Sequence, residues 1–367
     1  MKKALIVTLY ANTNYGNKLQ NYALQEILKK YNLDVETLIN YQQLNNENLT
    51  SYLKFVKKYI VNKLKYSNNI LLGYDKNDNK GKQNNFKKFD SKINRTKYVY
   101  TKYHNNSIRK YDYYIVGSDQ IWNPNYGGTN KINLLNINLK NKIKLSYAAS
   151  FGIDELTEEQ QQIYQKALKS FNGISVRESS GSDIIKKLLG KNAPVLVDPT
   201  MLLTEEEWKT HMIKPKNMTK KQYILCYFLG NKNTQFIDEI KKYANDNNYE
   251  LIDISDRESK YNNCGPSEFL YLERNAKFIF TDSFHSAVFA ILFKTPFLVA
   301  DREGKHNNIN SIISTLLNKF NLMSQYYTGG IIKKYEKVDF NKTDDILDKE
   351  RQKSKQYLDK YIMKESD

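Results

Sequence analysis

KFIFTDSFHSAVFAILFKTPFLVA, residues 277–300, combines a strand, a polar turn and a helix. The apolar run 278–280 predicts a buried parallel strand, and residues 286–293 predict a short helix that packs back on it. Asp282, Ser283 and His285 lie between the two. Ligands bind at such turns in open α/β sheets, because loop amides and the helix dipole favour an anion. We therefore expect an α/β fold with a ligand site at His285, although Asp282 and Ser283 would also suit a helix cap.

Four strands in the first half of the chain also end in polar turns. They are predicted at 4–9, 112–116, 144–148 and 173–176. Successive turns of this kind would line one crevice, although any one of them is common between strands and helices. Arg177 begins the last of these turns. Its guanidinium suits a carboxylate or a phosphate, and an ion pair with Glu178 or another acid is the alternative.

A second series of strands and helices follows a polar, lysine-rich passage at about 205–221. The last segment, 343–363, is charged and helical, and it is long enough to cross back over the first domain. The sequence therefore predicts an α/β protein with two Rossmann-like domains facing across a cleft, the glycosyltransferase-B-like arrangement. The predicted parts are an N-terminal domain on the acceptor side at 1–208, a C-terminal domain at 209–335 and a returning helix at 336–367.

Charge and cysteine content narrow the function classes. Lysine and arginine number 57 against 40 acidic residues, which gives a formal charge of +17. Most of the excess is scattered lysine without a nucleic-acid-binding motif, so nucleic acid is not a predicted partner. The 2 cysteines are too few for a disulfide framework, and this favours a reducing cytoplasm.

The amino terminus and the polar segments bear on location and on the acceptor. Lys2 and Lys3 lead directly into the first strand, which leaves no room for a signal peptide, and no apolar run could span a bilayer. An apolar stripe with lysines at 51–66 predicts a helix that lies on its own domain or on an anionic membrane. We expect a cytoplasmic protein, either free or peripheral at the inner face of the cell membrane.

The polar residues 12–17 and 75–85 are predicted to be loops that contact the acceptor.

Six blocks of sequence together resemble the polysaccharide pyruvyl transferase family. They are NYGNKLQNYALQ (14–25), YYIVGSDQIWNP (113–124), YAASFG (147–152), ISVRESSG (174–181), VLVDPT (195–200) and FTDSFHSAVFAILFKTPF (280–297). The resemblance implies a glycosyltransferase-B-like fold, phosphoenolpyruvate as donor and a sugar of a surface polysaccharide or its precursor as acceptor. The product would be a pyruvate ketal. The acceptor would be free, nucleotide-linked or lipid-linked.

The resemblance places Arg177 and His285 where the family's donor-binding arginine and site histidine are expected. Some members carry an arginine where this chain has Ser283, so Arg302, Lys305 or His306 would supply the second cation. The remaining candidates follow from the turns described above. We predict catalytic roles for His285 and Asp282, donor binding by Arg177, Ser283, Ser286 and Arg302, and acceptor binding by Asn14, Tyr15, Gly16, Asn17, Ser118, Asp119 and Gln120.

Ketal formation sets the chemistry that these residues must supply. A base must take a proton from a sugar hydroxyl, and an acid must protonate carbon. An imidazole such as His285 can do either near neutral pH, with Asp282 or Asp119 to orient it. The reaction requires no metal, the sequence shows no metal-ligand spacing, and no cofactor beyond the donor substrate is expected.

Two other functions remain open on the sequence alone. A glycosyltransferase would share the fold but use a nucleotide-sugar donor, for which Glu268 could hold the ribose. A basic protein that binds an anionic polymer or a membrane surface would account for the net charge. Steep weakening by salt would identify the binder, since it is held by counterion release.

Overall fold

The computed structural model describes residues 1–9, 13–40, 79–100, 106–216, 218, 222–231, 234–302, 310–335 and 337–363. Asn12, Lys305, His306 and the helix predicted at 51–66 lie outside these residues. None of the described helices is both long and apolar enough to cross a membrane.

The first domain is built on a five-stranded sheet. Its strands are β1 (Lys3–Val7), β2 (Asp34–Asn40), β3 (Arg95–Tyr100), β4 (Tyr113–Val116) and β5 (Ile143–Ser146). The order is β3-β2-β1-β4-β5, and every pair is parallel. Single bridges from Leu145 to Gly173 and from Val176 to Val195 continue the β5 edge. The strand ends that follow β1 and β4 therefore lie side by side.

Helices cover this sheet on both faces. They are α1 (Tyr15–Lys29), α2 (Lys80–Asp90), α3 (Glu158–Leu168), α4 (Ser179–Leu189) and α5 (Glu205–Lys209). A capping box between Thr157 and Gln160 begins α3, and Gly190 ends α4 in the left-handed conformation at φ 66°.

The start of α2 corrects one prediction. Residues 75–85 were expected to form a polar loop, but helix begins at Lys80, where the Asn79 side chain accepts from the Gly81 amide. Phe86 and Phe89 are buried on one face of α2 and hold it against the core. Two apolar anchors and a good cap therefore outweigh the polar composition of the first turn.

The second domain has a four-stranded parallel sheet. Its strands are β6 (Tyr223–Tyr227), β7 (Glu250–Asp253), β8 (Phe278–Thr281) and β9 (Phe297–Val299), in the order β7-β6-β8-β9. Its helices are α6 (Thr234–Asp246), α7 (Pro266–Asn275), α8 (Phe284–Phe293) and α9 (Asn310–Lys319). The predicted strand and helix of the 277–300 stretch are confirmed. Helix α8 begins two residues before the predicted start, because Ser283 is its N-cap.

The last helix, α10 (Thr343–Ile362), packs against the first domain. Tyr357 donates to the Ser146 carbonyl over 2.7 Å, and Tyr113 donates to the Ile362 carbonyl over 3.2 Å. Aromatic side chains join the two domains directly: the ring centroids of Tyr15 and Phe269 are 4.6 Å apart, and Trp208 meets Phe289 at 5.3 Å. The predicted class, two Rossmann-like α/β domains in a glycosyltransferase-B-like arrangement, is confirmed. The boundaries at 208 and 335 stay predictions.

Candidate active site

The first turns of α1 and α8 meet where the two domains touch. Asn14 caps α1 by accepting from the Asn17 amide at 3.0 Å, and Ser283 caps α8. Gly16 and His285 occupy these two turns, and the imidazole lies against the glycine backbone. A Cβ atom built on Gly16 would stand 2.1 Å from His285 Nδ1. Two helix amino ends, each with a positive partial charge, therefore converge on His285.

Asp198 is the hub of the cluster around His285. Its Oδ2 accepts from Ser118 Oγ at 2.9 Å and from Arg177 at 3.4 Å, and it lies 3.7 Å from His285 Nε2. Its Oδ1 accepts from the Thr200 amide and hydroxyl. Burial alone would raise the pKa of Asp198, but the nearby His285 and the charge of Arg177 lower it below its usual range. Asp198 is therefore an ionised carboxylate facing an imidazole and a guanidinium.

Sequence reasoning missed Asp198 as a site residue, although the block VLVDPT contains it. A local signal was present, because an Asp-Pro step directly after an apolar run marks a turn at the carboxyl end of a strand. Its partners Ser118, Arg177 and His285 are distant in sequence, however. Only the fold brings them together.

Arg177 lies between two carboxylates. Its Nη1 is 3.4 Å from Asp198, its Nη2 is 3.4 Å from Asp119, and its Cζ is 4.2 Å from the centroid of the Phe284 ring. The predicted alternative, an ion pair within the protein, is thus present, but Glu178 is not the partner. Glu178 accepts from the amides of Phe151 and Gly152, and burial raises its pKa.

Two nitrogens of this buried cluster have no hydrogen-bond partner among the described residues. They are Nε of Arg177 and Nε2 of His285. Both side chains are at least nine-tenths buried, with exposed fractions of 4% and 8%. Because buried polar nitrogens are normally paired, two such nitrogens in one cluster make it a candidate site for an outside group.

Three of the predicted acceptor residues join the cluster. Asn17 Nδ2 donates to Asp119 Oδ2, and Ser118 donates to Asp198. Asp119 also contacts Arg177, so these polar groups from the ends of β4 and the start of α1 form one network. Gln120 turns away and accepts from Asn123 Nδ2 at 2.8 Å.

Tyr15 lies in the core rather than in the network. Its ring stacks on Phe269, its hydroxyl donates to the Cys264 carbonyl at 2.8 Å, and it is 1% exposed. This packing explains the presence of a tyrosine at position 15 without any contact to an acceptor sugar. The Asn14 side chain likewise serves as a helix cap.

Asp282 does not orient His285, which corrects the prediction that paired them. Its two oxygens accept from the amides of Leu229 and Gly230, each at 2.7 Å. Arg302 is held by the same residue, since its Nη2 donates to the Asp282 carbonyl at 3.1 Å. Asp282 therefore fixes the β6 turn and positions Arg302, whereas Asp198 takes the place opposite the imidazole.

The two predicted serines support the helix start. Ser283 Oγ accepts from the Ser286 amide, and Ser286 Oγ donates to Glu273 Oε1 at 2.6 Å. Glu273 is fully buried, and burial raises its pKa well above the usual range. Ser286 thus faces the interior behind α8. Within the described part of the chain, no group of three His, Cys, Asp or Glu side chains could hold a metal ion.

Comparison with known structures gives low overall similarity over nearly the whole chain. The candidate UDP-N-acetylglucosamine 2-epimerase of Listeria monocytogenes matches with a TM-score of 0.49 and 11% identity, over 99% of this chain and 94% of its own. The UDP-GlcNAc 2-epimerase of Methanocaldococcus jannaschii gives 0.47 and 11%, over 95% and 92%. MurG of Acinetobacter baumannii gives 0.40 and 10%, over 99% and 100%. None of these likenesses bears on what this chain binds.

A search of curated protein sequences gives no match. The model of the polysaccharide pyruvyl transferase family, in contrast, matches residues 14–303. That span is most of the chain and includes every residue placed around the domain contact, from the Asn14 cap to Arg302. The chain belongs to the polysaccharide pyruvyl transferase family.

Proposed function

We propose that this transferase moves pyruvate from phosphoenolpyruvate to a sugar of a cell-surface polysaccharide or of its precursor, and forms a pyruvate ketal. One observation carries the proposal. Arg177 and His285, from different domains, meet at Asp198, and each keeps one buried nitrogen without a partner. A small anion that reacts by proton transfer would need such a pair.

The donor carries a carboxylate and a phosphate. The amino ends of α1 and α8 favour an anion at their meeting point, and Arg177 adds a fixed positive charge. Its contacts to Asp119 and Asp198 are long, at 3.4 Å each, so an incoming anion can replace one of them. Arg302, held by Asp282 at the end of β8, is the second cation of the proposal.

The reaction needs two steps at C2 of the donor, an addition and then a displacement of phosphate. A sugar hydroxyl attacks C2 and loses its proton to a base, while C3 takes a proton from an acid and becomes a methyl group. A second hydroxyl of the same sugar then attacks C2, and the C2–O bond to phosphate breaks. Phosphate leaves with the electron pair, and the second hydroxyl proton goes to the base or to the phosphate.

His285 is the group that moves these protons in the proposal. When an imidazole accepts a proton it becomes an imidazolium, and a facing carboxylate stabilises that charge. Asp198 Oδ2, 3.7 Å from Nε2, is the carboxylate in that position. Proton transfer by such a group contributes about 10²- to 10⁴-fold to the rate. Asn17, Ser118 and Asp119 stand on the first-domain side, where we place the acceptor.

Glu268 bears on the nucleotide-sugar alternative. Its carboxylate accepts from the Gly265 amide at 3.0 Å, which makes it a cap of its own helix α7. The carboxylate of Glu268, which would have to bind the ribose of a nucleotide sugar, is therefore already used as a helix cap. Both cysteines, Cys226 and Cys264, are buried. The cytoplasmic location stays a proposal that rests on the cysteine count.

Ligand-dependent thermal stability tests the donor. Phosphoenolpyruvate at about 100 times its dissociation constant should stabilise the native protein by roughly 2.7 kcal/mol. We expect this shift in wild type and in Arg109→Ala, an exposed arginine of the first domain, but not in Arg177→Ala. A shift with nucleotides and none with phosphoenolpyruvate would instead favour the glycosyltransferase. Release of phosphate together with a sugar-bound pyruvate ketal tests the reaction itself.

The dependence of binding on salt distinguishes the transferase from the third candidate function, a basic protein that binds an anionic polymer or a membrane surface. A protein that binds anionic polymers through its net charge of +17 should lose affinity steeply as salt rises. The stabilisation by phosphoenolpyruvate in the proposed pocket should change far less over the same range.

A further inference from the structure

A groove of about 1120 Å³ lies between α10 and the edge of the first domain. The ends of α3 and α4 and the segments 171–174 and 191–196 form its other wall. Its apolar lining consists mainly of leucine, isoleucine and aromatic side chains, among them Leu168, Ile185, Leu188, Leu196, Tyr357 and Tyr361. The volume is in the range of pockets that enclose a small molecule or a hydrocarbon chain.

The charge around this groove has one sign. Its charged lining residues are Lys169, Lys191, Lys353 and Lys360, and no Asp or Glu lines it. Lys353 is paired with Glu350, whereas no ion pair joins Lys169, Lys191 or Lys360 to any described residue. The lining also includes the amide side chains of Gln165, Asn172, Asn192 and Gln356. Apolar side chains beside these four lysines, here called the lysine rim, complement an amphiphile that has a hydrocarbon chain and an anionic head.

The groove is separate from the proposed active site. The segment 173–176 lies beside β5 and leads from Gly173 in the groove to Arg177 in the cluster, so the two sites are at opposite ends of the parallel strands. The end of α10 lies at the same edge as the groove, where Met363 is 59% exposed. This edge therefore combines the exposed side chain of Met363 with three lysines that form no ion pair among the described residues, although Lys360 lies over the Tyr361 ring.

We propose that the groove binds the acyl chain of an anionic membrane phospholipid, with the lysine rim around its phosphate. A second copy of this chain fits less well, because a symmetric contact would bring the lysine rims of both copies together without a carboxylate between them. Binding at this edge would hold the protein on an anionic membrane, with the active site at the other end of the strands.

Vesicle co-sedimentation tests the charge requirement. Wild type should bind phosphatidylcholine vesicles that contain phosphatidylglycerol, and not vesicles of phosphatidylcholine alone. Each lysine near an anionic surface is worth about fivefold in partitioning, so Lys191→Gln with Lys360→Gln should lose about 25-fold. The matched control is Lys166→Gln with Lys187→Gln, two exposed lysines on α3 and α4 that do not line the groove. Equal loss in both pairs, or no binding by wild type, would overturn the proposal.

Tryptophan quenching tests the groove itself. Trp122 and Trp208 are fully buried, so a tryptophan at the half-buried groove residue Leu189 reports on the groove. Phosphatidylglycerol brominated along its acyl chains should quench Leu189→Trp and leave the exposed control Lys187→Trp nearly unchanged. Vesicle binding without quenching of Leu189→Trp would refute chain insertion. Dimerisation without vesicle binding would assign the groove to a second copy. Neither readout depends on phosphoenolpyruvate.

Discussion

The imidazole of His285 fills the space that any side chain on Gly16 would need. The ideal Cβ position at Gly16 lies 2.1 Å from Nδ1 and 2.5 Å from Cγ of that ring. A glycine inside a helix costs about 1 kcal/mol relative to alanine, so helix propensity does not explain why residue 16 is a glycine. The contact between the domains does explain it.

Gly16→Ala should therefore destabilise the protein although it favours the helix. Forcing a methyl group against a buried ring costs about 1–3 kcal/mol. The variant should also lose activity, because the imidazole of His285 is displaced. Denaturant unfolding of Gly16→Ala, His285→Ala and the double variant measures the coupling. We expect Gly16→Ala to cost at least about 1 kcal/mol less when His285 is absent. Additive effects would show that the two residues do not interfere.

Asp198→Asn should impair the reaction while leaving the shape of the cluster nearly unchanged. The neutral amide cannot stabilise an imidazolium at His285, so we expect kcat to fall by at least about 10²-fold with a small change in the KM for the acceptor. Steady-state kinetics with both substrates measures this split. A change in KM alone would make Asp198 a binding residue instead.

The same variant should change the dependence of stability on pH. The folded-state pKa of Asp198 is lowered, so its contribution is complete above the unfolded pKa of about 3.9 and is lost as the pH falls through the folded value. Wild type should exceed Asp198→Asn in its free energy of unfolding at neutral pH, and the difference should shrink in acid. A constant difference down to the acid limit of folding would contradict this.

Glu273 should have the opposite dependence, because burial raises its pKa. The folded protein then binds the proton more tightly than the unfolded chain, so stability falls as the pH rises above about 4.3, the unfolded value for Glu. Glu273→Gln mimics the protonated acid and should remove this decline, as measured by unfolding across neutral pH. The exposed Glu206→Gln is the control and should keep it.

Tyr15→Phe tests whether Tyr15 is structural. Loss of its hydrogen bond to the Cys264 carbonyl should cost about 0.5–1.5 kcal/mol, while the ring keeps its stack on Phe269. We expect an unchanged KM for the acceptor. An increased KM at full stability would return Tyr15 to the acceptor site.

Much of the fold follows from local patterns in the sequence. The apolar run at 278–280 became β8, and the turn after β4 delivered Ser118 and Asp119 to the domain contact. Parallel strands place their carboxyl ends at one edge, so Arg177 could be expected near these turns. The start of α8 was predicted two residues too late, although Ser283 is a good N-cap.

The partners within the site did not follow from local patterns. Asp282 and His285 are close in sequence but face different neighbours, since the turn directs Asp282 to the amides after β6. Ser286 is only one residue beyond His285, yet the helical rotation between them points it at the buried Glu273. Such orientations depend on tertiary packing, which one sequence does not display.

The stacking of Arg177 on Phe284 joins a cation of one domain to a ring of the other. Asp198 likewise stands on the first domain and meets His285 of the second. Neither half of the chain therefore carries a complete set of reacting groups. An exchange of one half between related genes would separate these partners, so the two halves are expected to be inherited and to diversify together.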